Sequence, residues 1–306
     1  MFLKKILSVD IGSHTIKMVL GKYLNHQVII EEDALLPTPY NAIRDGHILD
    51  LEKIKNTMNP FLKTHHLLKK RVVFSLESSS MIKREILLPY AKETDFRKML
   101  LYKIYEDFPI NLDEYIVQYR KIEDIYEDGI KKARVLTAAL PKEIVEVYLT
   151  LANQLNLVPR CLESHGSALL KLLHKNVKLN DQPIDNKSVL IIDLGDKSIH
   201  VNIFDHGIYQ LSRLIKVREK SIKSSDEWIN DLSRILEFHN SRKIGNKIDK
   251  IYAYGGYAHE EEICKMINDY FHMSINKIKK VTNIKNNRKD FDLSLHLNAV
   301  GGIIKS

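Results

Sequence analysis

The sequence predicts an α/β protein of two similar halves facing each other across a cleft, with a small α/β subdomain inserted in the first half. Three observations carry this. Residues 6–20 (ILSVDIGSHTIKMVL) recur at an offset of 183 as residues 189–203 (VLIIDLGDKSIHVNI), with Asp10 on Asp193, Gly12 on Gly195, Thr15 on Ser198 and Ile16 on Ile199. Each copy reads as an apolar run, Asp-aliphatic-Gly, a polar tip and a second strand-like run, which is the pattern of a β-hairpin. Each copy is then followed by a third strand, a helix, and further strands and helices, the order of an α/β sheet. Residues 80–139 interrupt the first half with a strand, helix, strand and strand of their own.

In order, the first half reads as strands at 4–10, 14–23 and 27–37. A helix at 51–64 carries Leu51, Ile54, Met58, Phe61 and Leu62 at helical spacing, with Pro60 as a kink. A buried strand follows at 70–76. The subdomain reads as a strand at 81–88, a helix at 92–106 and strands at 114–122 and 132–139, joined by an acidic turn from Asp124 to Gly129. Phe96, Met99, Leu100, Lys103, Ile104 and Phe108 share one broad side of its helix. A helix at 141–155, with Pro141 at its first position, returns the chain to the first half. The second half reads as strands at 188–194, 198–204 and 208–215, a helix at 225–240 with Trp228 in the core, a strand at 250–254 and a helix at 258–271. The domains are therefore 1–79 with 140–175, the insertion 80–139, and a shortened second domain 176–306.

Composition bounds the function. A chain of 306 residues has room for about two domains. Hydrophobic residues at 44% and charged residues at 28% exclude global disorder. No apolar run approaches the ~20 residues of a membrane span. The start, MFLKKILSVDIG, is too short and too quickly charged for a signal peptide, so a cytoplasmic protein is expected. Cys161 and Cys264 lack CxxC spacing, which excludes a disulfide framework or four-Cys zinc site and predicts buried free thiols. The net charge of +8 favours anionic partners. The lysines are nevertheless spread out, and the clusters Lys69-Lys70-Arg71 and Lys277-Ile278-Lys279-Lys280 lack interleaved aromatics, so no nucleic-acid surface is expected.

Two acidic hairpin tips across a cleft suit phosphate. Glycine lets backbone N–H groups approach phosphate oxygens, and a carboxylate at each strand end can hold Mg²⁺ through its waters. Gly12, Ser13 and His14 form one tip, with Lys17 either pointing toward phosphate or pairing elsewhere. Gly195, Asp196, Lys197 and Ser198 form the other. Asp10 and Asp193 are the metal candidates. The alternative is a pair of ordinary tight hairpins. Tyr254-Gly255-Gly256-Tyr257, between a strand and a helix, is a third element: a place for a flat ring against backbone, or a turn needing positive φ. Ala299-Val300-Gly301-Gly302 either lets two helices pack closely or simply ends one. There is no GxxxxGK(S/T), GxGxxG or HExxH motif. His65 and His66 are adjacent, off metal-ligand spacing, and read as solvated. No catalytic residue stands out.

With its duplicated Asp-x-Gly hairpins, Gly-Gly turn and inserted subdomain, the chain resembles the actin-like ATPase superfamily, whose halves are ribonuclease H-like. Asp10–Lys17 and Asp193–His200 resemble its two phosphate motifs, Tyr254–Tyr257 its adenosine motif, and 161–170 and 297–304 its connecting helices. Within it, SVDIGSHTIKMV, RVVFSLESSSMIKREILLP, FRKMLLYKIYEDFPINLDEYIVQYRKI and RVLTAALPKEIVEVYLTLANQLNLVPRCLESHGSALLKLL are similar to the PilM family of type IV pilus assembly proteins, relatives of the cell-division protein FtsA. The resemblance implies a cytoplasmic scaffold at the inner face of the membrane. It implies binding to the cytoplasmic N-terminal segment of a PilN-like inner-membrane protein, a link to the pilus motor ATPases of twitching motility, ATP with Mg²⁺ in the cleft, and assembly more than turnover, with oligomerisation compatible. The long amphipathic C-terminal helix of FtsA is missing, which favours PilM.

Three departures bear on the nucleotide. Val217-Arg218-Glu219 replaces a Gly-Gly step, Tyr254 replaces a small residue, and Asp196 adds negative charge beside phosphate. Such a like charge at ~4 Å costs roughly 1 to 4 kcal/mol, with Lys197 nearby to offset it. Weak to moderate ATP binding with slow or absent hydrolysis is expected. Ile82, Ile86 and Leu88 alternate on one strand of the subdomain and either line a peptide groove or pack on the helix at 92–106. The competing readings on this fold are a small-molecule kinase, which needs a carboxylate base beyond Asp10, and an FtsA-type division protein.

Overall fold

The computed structural model describes residues 5–107, 111–173, 176–217, 222, 223, 227–241, 247–286 and 288–304. The chain runs through β1 (Ile6–Ile11), β2 (Thr15–Leu24), β3 (Gln27–Pro37), the short β4 (Ile43–Arg44) and β5 (His47–Ile48), α1 (Leu51–Thr64) and β6 (Arg71–Leu76). Next come β7 (Ile82–Pro89), α2 (Glu93–Asp107), β8 (Tyr115–Glu127), β9 (Ile130–Pro141), α3 (Lys142–Gln154), β10 (Val158–Ser164) and α4 (His165–Leu172). The remainder is β11 (Lys178–Leu179), β12 (Gln182–Pro183), β13 (Ser188–Leu194), β14 (Ser198–Asp205), β15 (Ile208–Lys216), α5 (Glu227–Ser241), β16 (Lys250–Tyr254), α6 (Glu261–Phe271), β17 (Ile275–Lys277), β18 (Ile284–Asn286) and α7 (Leu293–Gly302). Among the described residues no helix is long and apolar enough to cross a membrane.

The chain divides into two compact units, Met1–Glu77 with Thr150–Ser306, and Ser78–Leu149. The first contains two sheets of matching topology. One runs β10-β6-β1-β2-β3-β18 and the other β15-β14-β13-β16-β17. In each, an antiparallel meander is extended by parallel strands on the far side of its first strand. The repeat is in register: Asp10 faces Lys17 across β1–β2, and Asp193 faces His200 across β13–β14. Even the irregularity repeats, with β-bulges at Leu20/Gly21 and at Ile203/Phe204, the same offset apart. Both first strands are near-continuous apolar runs because both of their faces are covered. In the second half Trp228, Ile229, Leu232 and Leu236 of α5 pack with Leu190, Ile192, Val201 and Ile251, each large side chain contributing roughly 1.5–3 kcal/mol.

Helix α7 packs on β1, β2, β6 and α4. A Cβ on Gly301 would lie 2.4 Å from the Ala168 carbonyl oxygen, so the glycine allows the close approach of α7 to α4. In the second unit, β7-β9-β8 form an antiparallel sheet covered by α2. Asp124 gathers its turn, with Lys121 Nζ at 2.5 Å, Lys131 Nζ at 3.0 Å and the Tyr90 hydroxyl donating to it.

Several expectations change. Ile86 and Leu88 are buried against Phe96, Leu100 and Ile104, so for these two the second reading, packing on α2, is the one found. Ile82 alone of the three keeps partial exposure. Phe108 and Arg218-Glu219 lie outside the described residues. Residues Cys161–Ser164 pair with β6 as strand, so α4 begins at His165 and Cys161 is exposed, not buried. Helix α7 starts at Leu293, held by the Asp292 cap, ahead of the expected 297. Pro141 ends β9, and α3 starts one residue later. Pro60 leaves α1 continuous to Thr64. His65 is half-buried, its ring 4.3 Å from that of Phe61 one turn back.

Candidate functional site

Both hairpin tips close the same way. Gly12 N donates to Thr15 O at 3.0 Å, and Gly195 N donates to Ser198 O at 3.1 Å. Thr38 fastens the first tip, its hydroxyl donating to Gly12 O at 2.7 Å and its amide to His14 O at 3.0 Å. Val217 N donates to Lys197 O at 3.0 Å and fastens the second. The two tips line one cavity of about 280 Å³. It brings together Asp10, Gly12, Ser13, His14 and Lys17 from the first tip, Asp193, Gly195, Asp196 and Ser198 from the second, and Gly255, Gly256 and Tyr257 from the glycine turn. Lys197 is a half-exposed side chain 3.8 Å from Asp196 and is not part of the lining.

The lining also includes His200, the repeat's counterpart of Lys17, and two residues that no local motif announced, His165 and Asn298. His165 opens α4 and stands between the two carboxylates. Its Nε2 is 3.0 Å from Asp10 Oδ1 and its Nδ1 3.7 Å from Asp193 Oδ2. Lys17 Nζ lies 3.5 Å from Asp10 Oδ2. Asn298 Nδ2 donates to Asp193 Oδ2 at 2.8 Å, and Tyr254 holds that amide by donating its hydroxyl to Asn298 Oδ1 at 3.0 Å. His200 Nε2 is 3.5 Å from Glu77 Oε2, and its ring centroid is 5.5 Å from that of His165.

This packing sets the charges. Burial alone would raise the pKa of Asp10, but Lys17 and His165 outweigh it and hold the carboxyl far below the usual carboxylate range. Burial pulls the His165 pKa down, yet Asp10, then Asp193 and Glu77, leave it raised. Asp193 is raised, mainly by burial, against the opposing effects of His165, Asn298 and Lys17. Burial, then the nearby carboxylates, push the Tyr254 hydroxyl well above its usual value.

On the third side, Gly255 has φ +93°, and a Cβ there would lie 2.4 Å from Asp193 Oδ1. Glycine is required by the backbone, and its N–H donates to Ser294 O at 2.8 Å. A short 3₁₀ turn, Gly256–His259, precedes α6, which starts at Glu261 and not near Ala258. Tyr257 donates to Asp196 Oδ1 at 3.0 Å, so the tyrosine and the acidic tip residue answer each other.

The arrangement fits phosphate: two glycine tips, Lys17 at the first, and open space over Gly256. It does not fit the expected Mg²⁺. Asp10 and Asp193 are turned onto His165, Lys17 and Asn298.

A sequence model for the type IV pilus assembly protein PilM family matches residues 8–219, more than half of the chain. The chain belongs to the PilM family. Among solved structures, this PilM-family chain is similar to a chain of a PilM-PilN type IV pilus biogenesis complex, at 16% identity over 98% of this chain and 99% of that one, with a TM-score of 0.77. It is also similar to a Bacteroides thetaiotaomicron protein of unknown function with an actin-like ATPase fold (12% identity, 98% and 95% coverage, TM-score 0.54). The cytoplasmic domain of EpsL, an inner membrane component of the type II secretion system of Vibrio cholerae, is similar at 9% identity, 99% and 96% coverage and TM-score 0.52. The fold is therefore the actin-like one that the repeat predicts.

Proposed function

We propose that this PilM-family protein is an actin-like scaffold of type IV pilus assembly. It binds the cytoplasmic N-terminal segment of a PilN-like inner-membrane protein and takes an adenine nucleotide in its cleft. The likeness over nearly the whole of both chains to a component of a PilM-PilN complex supports the partner. In this reading the protein works in the cytoplasm at the inner face of the membrane, in a form open to oligomerisation, and connects the membrane protein to the pilus motors. The phosphates lie between the two tips beside Lys17, and the adenosine lies at Gly255, Gly256 and Tyr257. Neither carboxylate has the freedom of a general base: Asp10 faces two basic side chains and Asp193 accepts from Asn298. That favours binding over turnover, and hydrolysis below ~1 s⁻¹, the low end of ordinary enzymes, is expected.

The test is calorimetry with the synthetic cytoplasmic N-terminal peptide of a PilN-like single-span protein from the same organism. Binding to the intact chain is expected. An absence of heat and of co-purification with that peptide would remove the adaptor role. ATP turnover well above ~1 s⁻¹ would favour an enzyme instead.

A further inference from the structure

The His165 imidazole stands between Asp10 and Asp193 on the wall of the cavity. Both oxygens of Asp10 and one of Asp193 face a protein nitrogen: His165 Nε2 at 3.0 Å, Lys17 Nζ at 3.5 Å and Asn298 Nδ2 at 2.8 Å. The remaining Asp193 oxygen lies against the Gly255 backbone. Mg²⁺ demands a near-octahedral shell at about 2.0–2.1 Å and keeps several waters. Those waters need the room that the imidazole occupies. The side chain is 13% exposed, anchored at the first residue of α4, and its ring lies edge-on to His200. Among the described residues, no group of three or more His, Cys, Asp or Glu is arranged to hold a metal ion.

We infer that the cleft binds its nucleotide free of divalent metal, with His165 standing where a hydrated Mg²⁺ would sit and Lys17 as the cation nearest the phosphates. This rests on the reading of the cleft as a nucleotide site. The ligand class is a metal-free nucleoside di- or triphosphate, recognised by backbone N–H groups and one ammonium.

The experiment is calorimetric titration of ATP into the intact chain, once in EDTA and once in excess Mg²⁺. The two affinities should agree within about threefold, or the EDTA value should be tighter. Binding weaker in EDTA by more than about tenfold overturns the inference and leaves the nucleotide reading standing. No binding in either buffer overturns both. His165→Ala empties the gap between the carboxylates. It should acquire a Mg²⁺ dependence of about tenfold, and a folded variant as indifferent to Mg²⁺ as the wild type would overturn the role given to His165. Should the variant fail to fold, the wild-type pair of titrations still decides.

Discussion

Asp292 shows how much one side chain can organise. Its carboxylate accepts the Ser294 amide at 2.8 Å and the Ser294 hydroxyl at 2.6 Å, and lies 3.3 Å from His259 Nε2. Burial alone would raise its pKa, but Ser294, then His259 and Lys277, bring it below the usual value. Asp292→Ala should cost about 1 kcal/mol, as for other lost N-caps. The sign of its pH dependence follows. A depressed folded pKa means that the stabilisation is complete above the unfolded value of ~3.9 and is lost as pH falls through the folded one. Thermal melts of wild type and variant should therefore converge below about pH 4. Gly255→Ala should cost roughly 1–3 kcal/mol, because φ +93° disfavours any L side chain and the new methyl meets Asp193. A lowered denaturant midpoint together with weakened ATP binding is the expected result.

Elements explain which parts of the molecule were legible. The two hairpins were, because strands covered on both faces must be apolar throughout, and a duplication preserves the spacing of Asp and Gly. The same offset carries Lys17 onto His200, so a basic residue opposite each aspartate was readable from the repeat. His165 and Asn298 were not. Each reaches the cleft from a helix distant in sequence and belongs to no local pattern. The start of α4 was misplaced because Cys161–Ser164 pair with β6 before the helix begins. Strand β18 has three residues, too few for any period to register. In the inserted unit the apolar face of β7 had two readings, and burial against α2 selects packing for Ile86 and Leu88. Leu100→Ala should then cost about 2–5 kcal/mol. Hydrogen exchange should rise within Ser78–Leu149, with protection of the two sheets of the other unit unchanged; a uniform rise through the chain would contradict this division.

At the scale of the whole molecule, the charge of +8 comes from lysines and arginines spread along the whole sequence. Attraction to a membrane surface is about 1 kcal/mol per well-placed Lys or Arg, and it is screened as the Debye length falls from about 10 Å at 0.1 M salt to 3 Å at 1 M. Co-sedimentation with phosphatidylserine vesicles should be weak at low salt and abolished at 1 M, with none on neutral vesicles. The pairing of β18 with β3 sets Ile284 beside Val28 in a parallel ladder. A ribosome makes the meander of the first half early and its last partner strand near the end. Until then the Val28–Ile30 stretch of the outer edge of β3 lacks this partner on the nascent chain and is a template for strands of other chains. Chaperone cover during translation is therefore needed over that edge, and a truncation ahead of Ile284, which takes α7 away together with β18, should yield aggregates even though both hairpin tips have already been synthesised.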